Sequence, residues 1–205
     1  SNALYATLEL SAERIRLRTA SNLTGIPMRA IQEQPAAYKE AIERLRWLRE
    51  NGMLGHGSVK MFRSGVTKLT DIIKWVEEQE QRIGAFVQGL LIDADEHIEV
   101  ENDLWSDYKG MGKVYAGGSA FAQGPDPDKR PDLARWVIFA SQAKNLTSKR
   151  DDYIKRVEDA ADSMRKSRVV DWGITLNRRD PRPDAPRGML PTMCLNIGKN
   201  RNHDV

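Results

Sequence analysis

One acid in this sequence stands where many sheet proteins handle phosphate. Asp93 closes the run Phe86 to His97, FVQGLLIDADEH, in which Phe86, Val87, Leu90, Leu91 and Ile92 make an apolar stretch of strand length. In open α/β sheets ligands gather at the carboxyl ends of strands, so an acid there is well placed to hold a hydrated Mg²⁺ beside a phosphate chain. Taken alone, the same acid reads better as a cap on the following turn. Glu9 sits near the end of a second short β-prone run, Leu4 to Leu10, LYATLEL. Other chemistries find little support. Cys194 is the single cysteine, which leaves no intrachain disulfide and no zinc cluster and fits a reducing interior. His56 and His97 lack the spacing of a metal site.

These positions need a frame, and 205 residues suffice for one sizeable α/β core. Ser1 to Ala3 reads as an expression-tag remnant, leaving 4–205 as a domain. A strand this close to the tag, with no turn or cap before it, is expected of a chain that opens inside a domain. Ser11 is placed to cap a helix running to about Leu23, after which Gly25 and Pro27 break the chain. Tyr38, Ile42, Leu45 and Leu48 recur at helical spacing between Pro35 and Asn51, with Gly52 at the C′ position, and predict a helix covering a sheet. Val59 to Phe62 predicts a short strand. Thr67 is a candidate cap for a helix with Leu69, Ile72, Ile73 and Val76 on one face, which Gly84 ends.

After Asp93 the pattern weakens. Asp107 to Gln123 carries Lys109 and Lys113 among glycine and small-residue breaks, while Gly124 to Pro131 and the basic Lys144 to Lys155 read as loops. Trp136 to Ala140, WVIFA, is a buried-strand candidate, Val157 to Lys166 is helical, and Val169 to Leu176 is a strand. Leu190 to Gly198 alternates as an edge or half-buried strand would. Strands alternating with helices in this way build a mostly parallel, helix-covered sheet. With 32 basic against 29 acidic residues, the net charge of +3 permits a nucleic-acid partner without demanding one. No apolar run reaches membrane length and no secretory signal is present, so a cytoplasmic location without a membrane partner is expected.

Taken in order, several segments resemble the RecA-like motor domain of hexameric replicative DNA helicases, the DnaB family of phages and bacteria. TLELSAERIRLR resembles the family's strand ending in Ser-Leu-Glu with its following helix, and LLIDADEH resembles the Walker B strand. FASQAKN resembles the strand ending in Ser-Gln, EDAADSMRKSRVVDWGITLNR the next helix and strand, and IGKNRN the Lys-x-Arg element. The resemblance implies an α/β fold with a RecA-like P-loop NTPase core, and ATP with Mg²⁺ as cofactors of the parent protein. It also implies single-stranded DNA and copies of the same chain in a hexameric ring as partners. Glu9 would be the general base that activates water for attack on the γ-phosphate, and Asp93 would hold Mg²⁺ through water. Gln142 would sense the γ-phosphate, while Lys199 and Arg201 would reach into the neighbouring subunit's site. Two channel-facing loops, Tyr108 to Gly118 and Lys144 to Lys155, would carry Lys109, Lys113, Lys149 and Arg150 to DNA phosphates.

The phosphate-binding loop of that family is missing. No G-x-x-x-x-G-K-[ST] occurs, and the glycines at Gly110 to Gly118 lack the Lys-Ser/Thr ending and follow Asp93 instead of preceding Glu9. The expectation is a mostly parallel sheet flanked by helices and lacking its first, P-loop strand, with little or no ATP bound by this chain alone. A strand missing from inside the sheet leaves edges to cover, which predicts a dimer or higher assembly. His203 is a smaller departure, since the family usually has Gly there. Two other functions remain open: a RecA-like module without nucleotide chemistry that binds protein or single-stranded DNA, and a RecA-like ATPase of recombination or clock type.

Overall fold

The computed structural model describes residues 1–100, 107–124, 133–141, 172–179 and 192–200. Its frame is a parallel sheet of β1 (Ala3–Thr7), β2 (Gly57–Met61), β3 (Gly89–Asp93) and β4 (Trp136–Ala140), in the order β2-β1-β3-β4. Three helices join β1 to β2: α1 (Ala12–Thr24), α2 (Met28–Glu33) and α3 (Pro35–Glu50). Another, α4 (Leu69–Ile83), joins β2 to β3, and α5 (Asp107–Gln123) precedes β4. Parallel pairing forces such crossovers, because each strand must be carried back to the same end of the sheet. A separate antiparallel pair is formed by β5 (Trp172–Arg179) and β6 (Thr192–Asn200). The chain divides into two compact units, Ser1–Glu99 with Ala120–Ala140, and Val100–Ser119 with Ser141–Val205.

Strand periodicity decides which side chains form the core. Leu4 and Ala6 on β1 lie opposite Leu90 and Ile92 on β3, and all four are at most 2% exposed. From α4, Ile72, Trp75 and Val76 are also buried, and the Trp75 ring meets Phe62 edge-on at 5.5 Å. On the other face the sheet is less covered: Trp136 is 43% and Ile138 48% exposed. The β5–β6 pair likewise leaves Ile174, Leu176, Met193 and Leu195 more than half exposed. At the opening ends of the strands, Asn2 donates from its side chain to the Phe86 carbonyl at 2.9 Å and accepts from the His56 N–H at 2.9 Å. Residues read as a tag remnant therefore take part in the folded structure, and β1 begins at Ala3.

Several local expectations hold for stated reasons. Ser11 accepts from the Arg14 N–H and caps α1, which ends at Gly25 in the left-handed region. Gly84 ends α4 in the same way at φ 62°. The strand expected at Trp136 to Ala140 is β4, but it is not the buried strand expected: Trp136 and Ile138 are exposed and the rest is half-buried.

Others are corrected. The stripe on α3 does not cover a sheet: Tyr38 is 55% and Ile42 39% exposed, while Ala41 is buried in a cluster with Ile26 and Ile31, so α3 packs on its helical neighbours. Thr67 does not cap α4; its hydroxyl donates back to the Arg63 carbonyl, and the Asp71 carboxylate accepts from the Lys68 N–H instead. The glycine-broken segment around Tyr108 to Gly118 is not a loop but the body of α5. Met111, Val114 and Tyr115 are buried at helical spacing, and that periodic burial outweighs the roughly 1 kcal/mol that each glycine costs a helix. The loop expected at Lys144 to Lys155 and the helix at Val157 to Lys166 lie outside the described residues.

Candidate functional site

The register of β1 on β3 brings the two acids singled out in the sequence to one end of the sheet. Thr7 lies opposite Asp93, and the Leu8 N–H continues the ladder by donating to the Asp93 carbonyl at 2.6 Å. Glu9 follows in the turn that leaves β1 and is exposed, while Leu8 before it is buried and holds the turn down. Both acids therefore stand at the carboxyl ends of adjacent parallel strands, where an open α/β sheet leaves room for a ligand.

Each acid is tied to β1 by a hydroxyl. The Thr7 side chain donates to the Leu10 carbonyl at 2.8 Å and accepts from the Leu10 N–H at 3.0 Å, closing the turn around Glu9. The Tyr5 hydroxyl donates to Asp93 Oδ2 at 2.7 Å. Burial pushes the Tyr5 phenol above its ordinary range, and the hydrogen bond to Asp93 and the charge of Asp93 push it further the same way. The nearby Arg18 opposes that shift and Glu9 adds to it. The phenol thus stays protonated and a donor at neutral pH.

Beyond Asp93 the chain is pinned at once. Asp95 is fully buried in a short 3-10 turn over Asp95–His97, and the Glu99 N–H donates to the Thr67 carbonyl at 2.8 Å.

The other sequence-derived site residues belong to the second unit or fall outside the described residues. Lys113 is exposed on α5, and Lys109 belongs to the same helix. Lys199 lies in β6, in register with Gly173. Gln142, Lys149, Arg150 and Arg201 fall outside the described residues. Tyr5 and Thr7 were missed by sequence reasoning. Their i, i+2 spacing ahead of Glu9 puts both on one strand face, and a Thr three residues before the end of the turn is the other local signal.

The donor set fits a hydrated divalent cation. Mg²⁺ keeps several waters and commonly takes only one or two carboxylates, as Asp93 with its oxygen-only chemistry offers. Among the described residues no group of three or more His, Cys, Asp or Glu could cage a metal directly. A nucleotide fits less well, because no glycine-rich Lys-Ser/Thr loop exists to cradle its phosphates.

Comparison with known proteins gives the fold. No family model matches the chain, and no curated protein does. Solved structures do. A DnaB-like replicative helicase, described with its interactions with primase, superposes with a TM-score of 0.72 at 15% identity, over 98% of this chain and 46% of that one. The ATPase domain of a second protein superposes with a TM-score of 0.70 at 14% identity, over 98% of this chain and 68% of that one. The chain thus has the RecA-like fold of DnaB-type ATPase domains, a parallel sheet flanked by helices, and spans about half the length of the first of these proteins. Among the described residues no helix is long and apolar enough to cross a membrane.

Proposed function

We propose that this chain is part of the motor of a DnaB-like replicative helicase, a ring of identical subunits that hydrolyses ATP to unwind DNA. The observation that carries the reading is the pairing of β1 with β3, which brings Asp93 and the turn carrying Glu9 to the same, carboxyl end of the sheet. Glu9, exposed in its turn, is free to accept a proton from an attacking water, and Asp93 offers a carboxylate to a water-bound Mg²⁺. When bound, Mg²⁺ neutralises charge on the triphosphate. Gln142 follows β4 by two residues in sequence and is assigned to sensing the γ-phosphate. Lys199 and Arg201 are assigned to the neighbouring subunit's site, where cations stabilise the transferred phosphoryl group.

Lys113, exposed on α5, with Lys109, Lys149 and Arg150, is assigned to the phosphates of single-stranded DNA. Assembly is supported by the open apolar strand faces at Trp136 and Ile138 and along β5–β6, since a two-stranded sheet is marginal until its apolar face is covered.

A second reading, a RecA-like module without nucleotide chemistry, is favoured by one observation, the missing G-x-x-x-x-G-K-[ST]. The gene separates the two. A phosphate-binding loop encoded within about thirty residues ahead of Leu4, the length of one βαβ unit, supports the motor. Its absence there supports the binding module.

A further inference from the structure

We propose that the two β1 hydroxyls, Tyr5 and Thr7, are the positioning residues of the acid pair, Thr7 holding the turn that carries Glu9 and Tyr5 holding the Asp93 carboxylate by one oxygen. The inference rests on the reading of Asp93 as the acid that meets a hydrated divalent cation.

Strand geometry sets both up. Residues two apart point to the same face, so Tyr5 and Thr7 look the same way as their neighbours Leu91 and Asp93 on β3. Thr7 is fully buried and spends its proton on the Leu10 carbonyl and a lone pair on the Leu10 N–H. That closed four-residue turn leaves Glu9 projecting from a backbone that cannot drift. The Leu8 N–H and Thr7 carbonyl are themselves fixed, to the Asp93 carbonyl at 2.6 Å and from the Phe62 N–H at 2.8 Å, so the turn is referenced to the very strand that carries the other acid.

Tyr5 works on the second acid. Its hydroxyl reaches diagonally from the position opposite Leu91 and takes Oδ2 of Asp93 at 2.7 Å, which sets the plane of the carboxylate and leaves Oδ1 to accept from elsewhere. Among the described residues it is the one side chain that hydrogen-bonds Asp93. The charged groups that act on the phenol are Asp93, Glu9 and Arg18, and their net effect with burial keeps it a donor. A phenylalanine would fill the same space but leave the carboxylate free to rotate, and a valine at Thr7 would fill the space but open the turn.

The test uses the chain labelled with ¹⁵N and titrated with Mn²⁺, whose unpaired electrons broaden nearby amide signals. The Leu10 amide reports the Glu9 turn and the Ala94 amide reports Asp93. Both signals should broaden together in the unaltered chain, and neither in Asp93→Asn. Tyr5→Phe should require about fivefold more Mn²⁺ for the same broadening at both amides, the scale of one lost rotamer restraint. Thr7→Val should keep the Ala94 effect and lose the Leu10 effect, and Thr7→Ser, which restores the hydroxyl, should recover it.

Unchanged titrations in Tyr5→Phe and Thr7→Val would overturn the positioning role while leaving the acid pair standing. No broadening at Ala94 in the unaltered chain, or the same broadening in Asp93→Asn, would overturn the reading of Asp93 and the positioning role with it. If Thr7→Val does not fold, Tyr5→Phe alone decides.

Discussion

Arg135, immediately before β4, is held in a largely closed box, and removing its charge should loosen the end of the sheet opposite the acid pair. Its guanidinium Nη2 lies 3.0 and 3.1 Å from the two Glu80 oxygens, with the side chains only 8% and 20% exposed. The Phe86 and Phe121 rings lie 4.3 and 4.5 Å from the guanidinium carbon, so the cation is also set against two aromatic rings. Breaking a buried ion pair from one side costs about 3–5 kcal/mol, because the partner charge is stranded. Here Glu80 keeps the Val87 N–H at 2.8 Å and some water, which points to the lower end. Arg135→Met also removes a buried Nε–H that lacks a hydrogen-bond partner, returning about 1 kcal/mol, while losing about 0.5–1 kcal/mol for each ring contact. The net expectation is a loss of about 3 kcal/mol. Urea unfolding of the single variants Arg135→Met and Glu80→Gln and of the double variant forms the cycle, with a coupling energy of about 2 kcal/mol expected. A loss under about 1 kcal/mol for Arg135→Met, or additivity within about 0.5 kcal/mol, would refute the reasoning.

The Tyr5 phenol, the Gly89–Trp136 contact and nucleotide binding each give a further expected outcome. Since the folded Tyr5 phenol titrates above its unfolded value of about 10, its contribution to stability is complete below about pH 10 and is lost as pH rises from there through the folded value. Asp93→Asn should bring the Tyr5 phenolate in at lower pH, though not to the ordinary value because burial remains, as read by ultraviolet difference titration with Tyr5→Phe as the blank. Gly89→Ala would put its Cβ 1.9 Å from Trp136 Cζ2, and because the indole is partly exposed it should swing off the sheet. The Trp136 emission, taken as the difference from Trp136→Phe, should shift to the red, with stability falling by about 1 kcal/mol; an unshifted spectrum would contradict the packing. Calorimetry of this chain with MgATP should show no binding tighter than roughly millimolar, about 4 kcal/mol. Micromolar affinity would show that other residues replace the missing loop.

Much of the frame was legible because it is written in short-range chemistry. Ser11 and Gly25 bracket α1, Gly84 ends α4, and the unbroken apolar run at Trp136 to Ala140 is β4. What failed depended on tertiary context. The glycines of α5 argue against a helix locally, and only the burial of Met111, Val114 and Tyr115 overrides them. The stripe on α3 is apolar, yet the helix turns Ala41 inward instead, a choice made by α1 and α2. The same division runs through the candidate site. Glu9 and Asp93 could be found from strand ends, but the Tyr5 hydroxyl could not, because the β1 to β3 register that sets it against Asp93 joins residues 88 positions apart. Thr7 is different: its hydroxyl closes a turn on Leu10, a local bond of the kind Thr makes in turns.

In the proposed motor, Glu9 acts on water beside a cation that Asp93 would hold. The most direct test of this is the rate of phosphate release from MgATP by the full-length protein that contains this chain, with single-stranded DNA present, compared with its Glu9→Gln variant. Removal of a general base should slow turnover by about 10²–10⁴-fold with nucleotide affinity nearly unchanged. Turnover within a few-fold of the unaltered protein would contradict it.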